Sequence, residues 1–378
     1  MEDAAAMAVS LPDDVVLEIL LRLKDVPPAL FRCAMACKHW RGLVGDLSFL
    51  RRCWPENTFV GFIPKERLDE KGTKELVPVP GSALGRGLRA LSSFVPALPA
   101  GAVPIVSRHG LLLVRLDSDP VDVVQFAVCN LHVGTCHVLP PLSSRCIFNY
   151  DIEFNCYVVL SAADCLSGHH DDDKLLPLPP PSRNHSSSFK VVIIGYNTHD
   201  LAYQLHTLSS HETSWSVRTD CFERTALDCP AVGIFSDHVV VSRGTAHWVF
   251  GNWLDECFYV VNLNTQTEDV STTKLPSDPS PLSSARSQQC LVLVDGEPPW
   301  LLRMKKTQKR QLCLLGEKCG TLLISDSHEC VYTADLETGT MERVVDWPLG
   351  RRIEPGEVVL LEMDWAVVFV SRLATRYI

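Results

Sequence analysis

Two hydrophobic rhythms divide the chain. From Leu11 to about Leu50 the apolar positions recur at helical spacing. Leu11-Pro12-Asp13-Asp14 reads as the entry to a first helix. Pro12 has a φ already suited to a first turn and no N–H to lose there, and Asp13 and Asp14 lie beside the positive end of the helix dipole. Val15, Val16, Ile19, Leu20 and Leu23 follow on one face. Leu17 and Leu21 widen that face, so this helix wants cover on more than one side. Pro27-Pro28 interrupts the pattern by pushing the preceding backbone toward extended geometry. A second helix is expected from about Ala29 to Ala36, presenting Leu30, Cys33, Ala34 and Cys37, and a third carries Trp40, Arg41, Leu43 and Val44. Asp46 is placed to cap a last short turn from which Phe49 and Leu50 fold inward.

After Trp54 the helical period disappears. Short apolar runs of strand length, such as Gly110 to Leu116, Cys156 to Leu160, Lys190 to Tyr196, Phe258 to Leu263 and Gly320 to Ser325, alternate with Gly, Pro, Asp, Asn and Ser clusters. The 25 prolines of the chain also disfavour long helices. A phrase recurs on this pattern. Cys129-Asn130-Leu131-His132-Val133-Gly134-Thr135 runs into Leu139-Pro140-Pro141. Val261-Asn262-Leu263-Asn264-Thr265-Gln266-Thr267 runs into Leu275-Pro276, and Ala334-Asp335-Leu336-Glu337-Thr338-Gly339 into Trp347-Pro348. A strand ending in Asn or Asp, a polar turn and a returning strand make a β-hairpin. A looser fourth copy runs from Tyr203 through Trp215. The spacing predicts units of roughly 40–50 residues, the size of one four-stranded propeller blade, and about six of them.

The first region, in order and spacing, resembles the F-box. LPDDVVLEILLRL and then LFRCAMACKHWRGLVGDLSFLRR supply its Leu-Pro, its Ile-Leu helix and its Cys-Lys-x-Trp-Arg helix, with Ala29 where the family often has an acidic residue. The second region is similar to the F-box-associated and kelch-like β-propellers of plant F-box proteins. Gly244-Thr245-Ala246-His247-Trp248 resembles their Gly-x-x-x-Trp strand. These resemblances imply an α+β multidomain chain: a three-helix F-box domain over 8–54, then an all-β, propeller-like substrate-recognition domain over 55–378. They also imply a role, as the substrate-recognition subunit of a Skp–cullin–F-box ubiquitin ligase. A Skp-family adaptor, and through it a cullin, would bind at Leu11, Pro12, Val16, Ile19, Leu20, Leu30 and Trp40, some of which must instead hold the helices together. The propeller would hold a protein target for proteasomal degradation. The alternative is a propeller binding module that assembles no ligase.

Composition narrows the function further. The formal charge of −10 argues against a general nucleic-acid binder. Glu2 and Asp3 stand where a targeting segment would carry basic residues, and no apolar run reaches the ~20 residues of a membrane helix, so a soluble chain of the cytoplasm or nucleus is expected. The 15 cysteines include no CxxC and read as small core residues in a reducing compartment. The stretch Cys165 to Ser188, with His169-His170-Asp171-Asp172-Asp173 and Pro179-Pro180-Pro181, reads as a disordered loop and not as a metal site. Lys305 to Arg310, the basic cluster, reads as a solvated hairpin tip. Gly81, Gly85 and Gly87 are followed by no P-loop Lys-Ser or Lys-Thr. Trp215, Trp248, Trp253, Trp300 and Trp347 are read as blade-core residues ahead of binding anchors. No catalytic motif is found, and neither a cofactor nor a metal is expected. A propeller enzyme with a helical cap would need acid–base groups converging on the central channel.

Overall fold

The computed structural model describes residues 11–375 except 25, 55–56, 66–73, 83, 86, 100, 117–122, 144–154, 163, 165–187, 198–201, 220–231, 235–238, 253–256, 276–288, 293–299, 304–311, 345–352 and 354–355. The expected loop at 165–188 (all but Ser188), the basic cluster at 305–310, Trp253 and Trp347 therefore lie outside the described residues. The chain forms two units: Met1–Thr58 with Met363–Ile378, and Phe59–Glu362. Set beside a division at residues 54 and 55, the first unit runs on to Thr58 and takes in the end of the chain. Among the described residues no helix is long and apolar enough to cross a membrane.

The first unit holds α1 (Asp13–Leu21), α2 (Pro27–Ala36), α3 (Lys38–Val44), α4 (Leu47–Cys53) and α5 (Trp365–Thr375). Four N-terminal helices replace the expected three, because Asp46 caps a full helix and not a single turn. Its Oδ1 accepts the N–H groups of Ser48 and Phe49 at 2.8 and 3.2 Å. α2 starts at Pro27, two residues earlier than expected, since Pro is at home in a first turn. It stops at Ala36, so Cys37 leaves the α2 face. Its extended backbone caps α3, and its Sγ accepts the Trp40 N–H at 3.4 Å.

The second unit is a ring of antiparallel sheets, a β-propeller. One blade joins β1 (Thr58–Pro64), β2 (Glu75–Pro78) and β3 (Arg89–Ala90) to β24 (Val358–Met363), the last strand, in the order β24-β1-β2-β3. The next contains β4 (Val103–Arg108), β5 (Leu111–Leu116), β6 (Val123–Asn130), β7 (Thr135–Val138) and β8 (Leu142–Ser143). A third contains β9 (Cys156–Ser161), β10 (Phe189–Asn197), β11 (Ala202–Ser209) and β12 (Ser216–Arg218). A fourth contains β13 (Val232–Ile234), β14 (Val240–Ser242), β15 (Thr245–Asn252), β16 (Cys257–Asn264) and β17 (Val270–Lys274). β18 (Gln289–Val292) and β19 (Trp300–Arg303) pair as two strands. The last sheet contains β20 (Leu312–Lys318), β21 (Thr321–Asp326), β22 (Val331–Asp335) and β23 (Met341–Arg343). Among the described residues, five full blades and one two-stranded sheet thus answer the expectation of about six.

Strands sandwiched between blades must be apolar on both faces, which explains the continuous runs. In β10, Val191 and Ile193 enter the core shared with Phe126 and Val128 of β6, whereas Val192 and Ile194 enter the core shared with Trp248 and Phe250 of β15. The period of two has become an assignment to two neighbours. Trp248 is fully buried there, and half-buried Trp215 packs on the other core and donates its Nε1–H to the Pro140 carbonyl at 2.8 Å.

The recurrent phrase is a hairpin turn built on one carboxamide or carboxylate. Asn130 Oδ1 accepts the N–H groups of His132 and Val133, Asn264 Oδ1 those of Gln266 and Thr267, and Asp335 Oδ1 those of Glu337 and Thr338. The phase of the middle copy is thus set by Asn264, while Asn262 bonds the His247 ring at 2.7 Å. The looser fourth copy turns differently, with Glu212 Oε2 accepting the Ser209 N–H. A second repeat lies at the first hairpin of three blades. His109-Gly110, Arg243-Gly244 and Cys319-Gly320 each have both φ values positive, the two-residue turn that matches strand twist. Gly110 has a further constraint, since a Cβ there would stand 2.0 Å from the His132 ring. The Gly110, Gly244 and Gly320 carbonyls accept from Leu131, Thr265 and Leu336, each at 2.8 Å, and so tie the two repeats together.

Leu360 of β24 is buried in the core that β1 and β2 share with β20 to β22. Leu360→Ala is expected to cost ~2–5 kcal/mol, whereas Met341→Ala on the exposed outer strand stays within ~0.5 kcal/mol. Urea unfolding of the full chain followed by tryptophan fluorescence measures both.

Candidate functional site

In the helical unit α1 has two faces with different fates. Val16 and Leu20 are buried with Leu30, Ala34, Val44, Phe49 and Leu50. Val15 and Ile19, one turn apart on α1, and Leu11 just ahead of the helix are apolar and 41%, 45% and 52% exposed. Pro12 is also exposed and Trp40 is half-buried. Of the seven expected contact residues, Leu11, Pro12 and Ile19 therefore stand at the surface, and Val16, Leu20 and Leu30 hold the unit together. Val15 belongs to the surface stripe as well. In the sequence Val15 falls on one broad face with Val16, Ile19, Leu20 and Leu23, and its i, i+4 spacing to Ile19 is the signal that separates the exposed row. His39 Nε2 lies 2.9 Å from Asp13 Oδ1, joining the start of α3 to the start of α1.

α5 completes the core of this unit. Trp54 packs against Trp365 and Phe369 with ring centroids 6.5 and 5.8 Å apart, and Phe31 meets Phe369 edge-on at 5.4 Å. The Arg51 guanidinium grips Asp364 with two bonds of 3.1 and 2.6 Å. Asp364 also accepts the Val367 N–H at 3.1 Å, so one carboxylate caps α5 and anchors it. Arg41 Nη2 donates to the Leu373 carbonyl at 3.1 Å.

A second cluster, of charges, joins several blades. Beside it, residues of β4, β14, β20 and β24 line a narrow channel to which Glu317 and Lys318 contribute. Arg108 Nε and Nη2 lie 2.9 and 2.7 Å from Asp164 Oδ1. Asp164 Oδ2 accepts the Ser161 N–H at 2.9 Å and faces His109 Nδ1 at 3.3 Å. The His109 N–H donates to Glu362 Oε1 at 2.8 Å, and Lys318 Nζ lies 3.5 Å from the same oxygen. Burial alone would raise both carboxyl groups. His109 and Arg108 instead hold Asp164 well below the usual carboxylate range, and Lys318, His109 and Arg108 hold Glu362 at about 2. Glu317 is pushed up by burial, against the opposing Gly320 N–H.

Such groups bind one another. Asp164 and Glu362 stay ionised and engaged, so neither is poised to exchange a proton near neutrality. The channel encloses about 40 Å³, close to the room one water occupies and far below the ~300–1,000 Å³ of a ligand pocket. Among the described residues no cluster of three or more His, Cys, Asp or Glu could hold a metal.

The helical surface has a relative. Residues 8–54 match the family model described as F-box-like. They form an F-box-like domain. α5 lies far outside the matched residues, yet its side chains complete the core of the unit that the F-box-like domain begins. No curated protein matches the chain. Among solved structures, the fold is similar to a prolyl endopeptidase at 11% identity and a TM-score of 0.39, covering 94% of this chain and 52% of that one. It is similar to the β-propeller domain of the Trilobed protease from Pyrococcus furiosus at 10% identity and a TM-score of 0.33, covering 69% and 76%. A protein from Lactobacillus plantarum gives 10% identity and a TM-score of 0.34, covering 82% and 100%. This chain spans about half the length of the prolyl endopeptidase. Likeness at these levels carries no argument about activity.

Two outcomes follow. Phe369→Ala is expected to destabilise the F-box-like unit by ~3–5 kcal/mol, read as a lower urea midpoint. Glu362, whose folded value lies below its ordinary 4.5, contributes stability above that value and loses it as the pH falls through about 2. Glu317, raised on folding, acts with the opposite sign. Thermal melts across the acid range should therefore show a shallower decline in Glu362→Gln than in the parent, and an equal decline would refute the assignment.

Proposed function

We propose that this protein is the substrate-recognition subunit of a Skp–cullin–F-box ubiquitin ligase, acting in the cytoplasm or nucleus. The observation that carries the reading is an F-box-like domain whose first helix presents Val15 and Ile19 to solvent, with exposed Leu11 just before it. F-box domains typically bind Skp-family adaptors, and an apolar helical stripe is the surface that such an adaptor would bury. The propeller supports the other half of the reading. A closed ring of blades presents rim loops that can vary without disturbing the core, which suits a protein-binding module. The resemblance of its recurrent phrase to those of plant F-box propellers is in keeping with a pairing of F-box and propeller.

On this reading the chain is a non-catalytic adaptor. It raises the effective concentration of a bound target protein near the ubiquitin-loaded end of the ligase. The target's lysines and the cullin-bound machinery supply the chemistry. The mutually paired charges between the blades are in keeping with that division of labour.

The test is direct binding of a purified Skp-family adaptor to the full chain, measured by calorimetry. Ile19→Glu and Leu11→Glu leave the buried face intact and are expected to weaken binding at least tenfold, about 1.4 kcal/mol. Exposed Val217→Glu on β12 should leave adaptor binding unchanged. A folded parent chain that captures no adaptor would sink the ligase reading and leave a propeller binding module.

A further inference from the structure

The hairpin of β6 and β7 brings two cysteines face to face. The register pairs Cys129 with Cys136 directly. Leu139 N–H donates to the Phe126 carbonyl at 2.9 Å, which marks 126 and 139 as a hydrogen-bonded pair. Bonded and non-bonded pairs alternate along an antiparallel ladder, so 129 and 136 fall on a non-hydrogen-bonded pair, where side chains lie closest. The two Sγ atoms are 3.3 Å apart. Both cysteines are free thiols. Cα atoms of such a pair are typically ~4.5 Å apart, inside the ~4.4–6.8 Å that a disulfide spans, so the ~2.05 Å bond needs only small side-chain rotations.

The two thiols differ in a way that divides the labour of oxidation. Cys129 is fully buried, whereas Cys136 on the outermost strand is half-buried and open to a small oxidant. The Cys129 S–H donates to Cys136 Sγ, which lowers the Cys136 thiol to about 7 despite its partial burial. The same bond, together with burial, pushes Cys129 up. A thiolate at the accessible position and a protonated thiol behind it are the two partners of a redox pair.

We propose that Cys129 and Cys136 are a peroxide-responsive site that closes to a reversible cross-strand disulfide. The Cys136 thiolate attacks one oxygen of a hydroperoxide. An S–O bond forms, the O–O bond breaks, and with hydrogen peroxide the departing hydroxide takes a proton to become water, leaving a sulfenic acid. Cys129 sulfur then attacks Cys136 sulfur. The S–S bond forms, the S–O bond breaks, and hydroxide leaves with the Cys129 proton as a second water. Two thiols lose two electrons and one peroxide gains them. The product brackets the Asn130–Thr135 turn and fastens outer strand β7 to β6. A dithiol reductant reverses the step.

Arg115 and Arg145 flank both cysteines, with no Lys, Arg or further Cys between them. One tryptic peptide, 116–145, therefore reports the pair. The full chain is treated with hydrogen peroxide, blocked with N-ethylmaleimide in denaturant and digested without reduction. The expected result is a peptide lacking both maleimide groups and lighter than the dithiol by two hydrogens, restored to the doubly blocked form by dithiothreitol. In Cys129→Ala, Cys136 is expected to remain a sulfenic acid that dimedone captures. In Cys136→Ala, Cys129 is expected to stay a thiol at the same dose. A doubly blocked peptide at doses that oxidise other cysteines of the chain, or Cys136 carried to sulfinic acid beside a free Cys129, would overturn the proposal. The parent chain alone decides between these outcomes, so the test does not depend on how well either variant folds.

Discussion

The pairing of β24 with β1 closes the propeller, and every other blade depends on it. A row of sheets packed face to face has two open ends unless its first and last strands share one sheet. Here residues 358–363 supply the strand that the first blade lacks. Nearly 300 residues separate the paired strands, so closure carries a loop-entropy cost that local hairpins avoid. The compensation is concentrated at the seam. Val358 and Leu360 enter the core shared by the first and last blades, and the Leu360 carbonyl accepts the Ser107 hydroxyl.

The same strand carries Glu362, which meets charges from other blades. A carboxylate buried alone would be costly, but the His109 N–H and Lys318 meet this one. Cys319 donates to its other oxygen at 3.3 Å. Arg108 performs a similar service for Asp164 and reaches the Val241 carbonyl at 3.3 Å. Acidic and basic groups from different blades thus meet one another. Their bonds satisfy one another and hold blades in register, which is a structural task.

The helical unit shows how a small domain manages too many apolar faces. A unit of about 45 residues is near the lower limit for a self-sufficient core. α5 adds Trp365, Ala366, Phe369 and Leu373 to the buried set, and Asp364 fastens it through Arg51. Among the described residues nothing buries Leu11, Val15 and Ile19, which stay exposed. The wide apolar face of α1 is thus shared between a core and a surface.

What could be read along the chain was what short-range physics encodes. Helical periodicity placed α1 to α3 within a few residues, Asp46 announced its cap, and continuous apolar runs announced strands buried on both faces. The Asn130 and Asp335 turns followed from side chains that bond their own backbone. The middle repeat was less clear, because Asn262 and Asn264 offer the same chemistry two residues apart. Pairing across the ladder decided between them. Sequence by itself determined the helical and all-β regions and the hairpins, since each depends on neighbours within one turn or one strand. Only the tertiary structure decided that residues 363–375 complete the first unit, that Cys129 faces Cys136, and that distant charges meet between blades. Those depend on contacts between residues far apart in the chain, for which no local period leaves a signal.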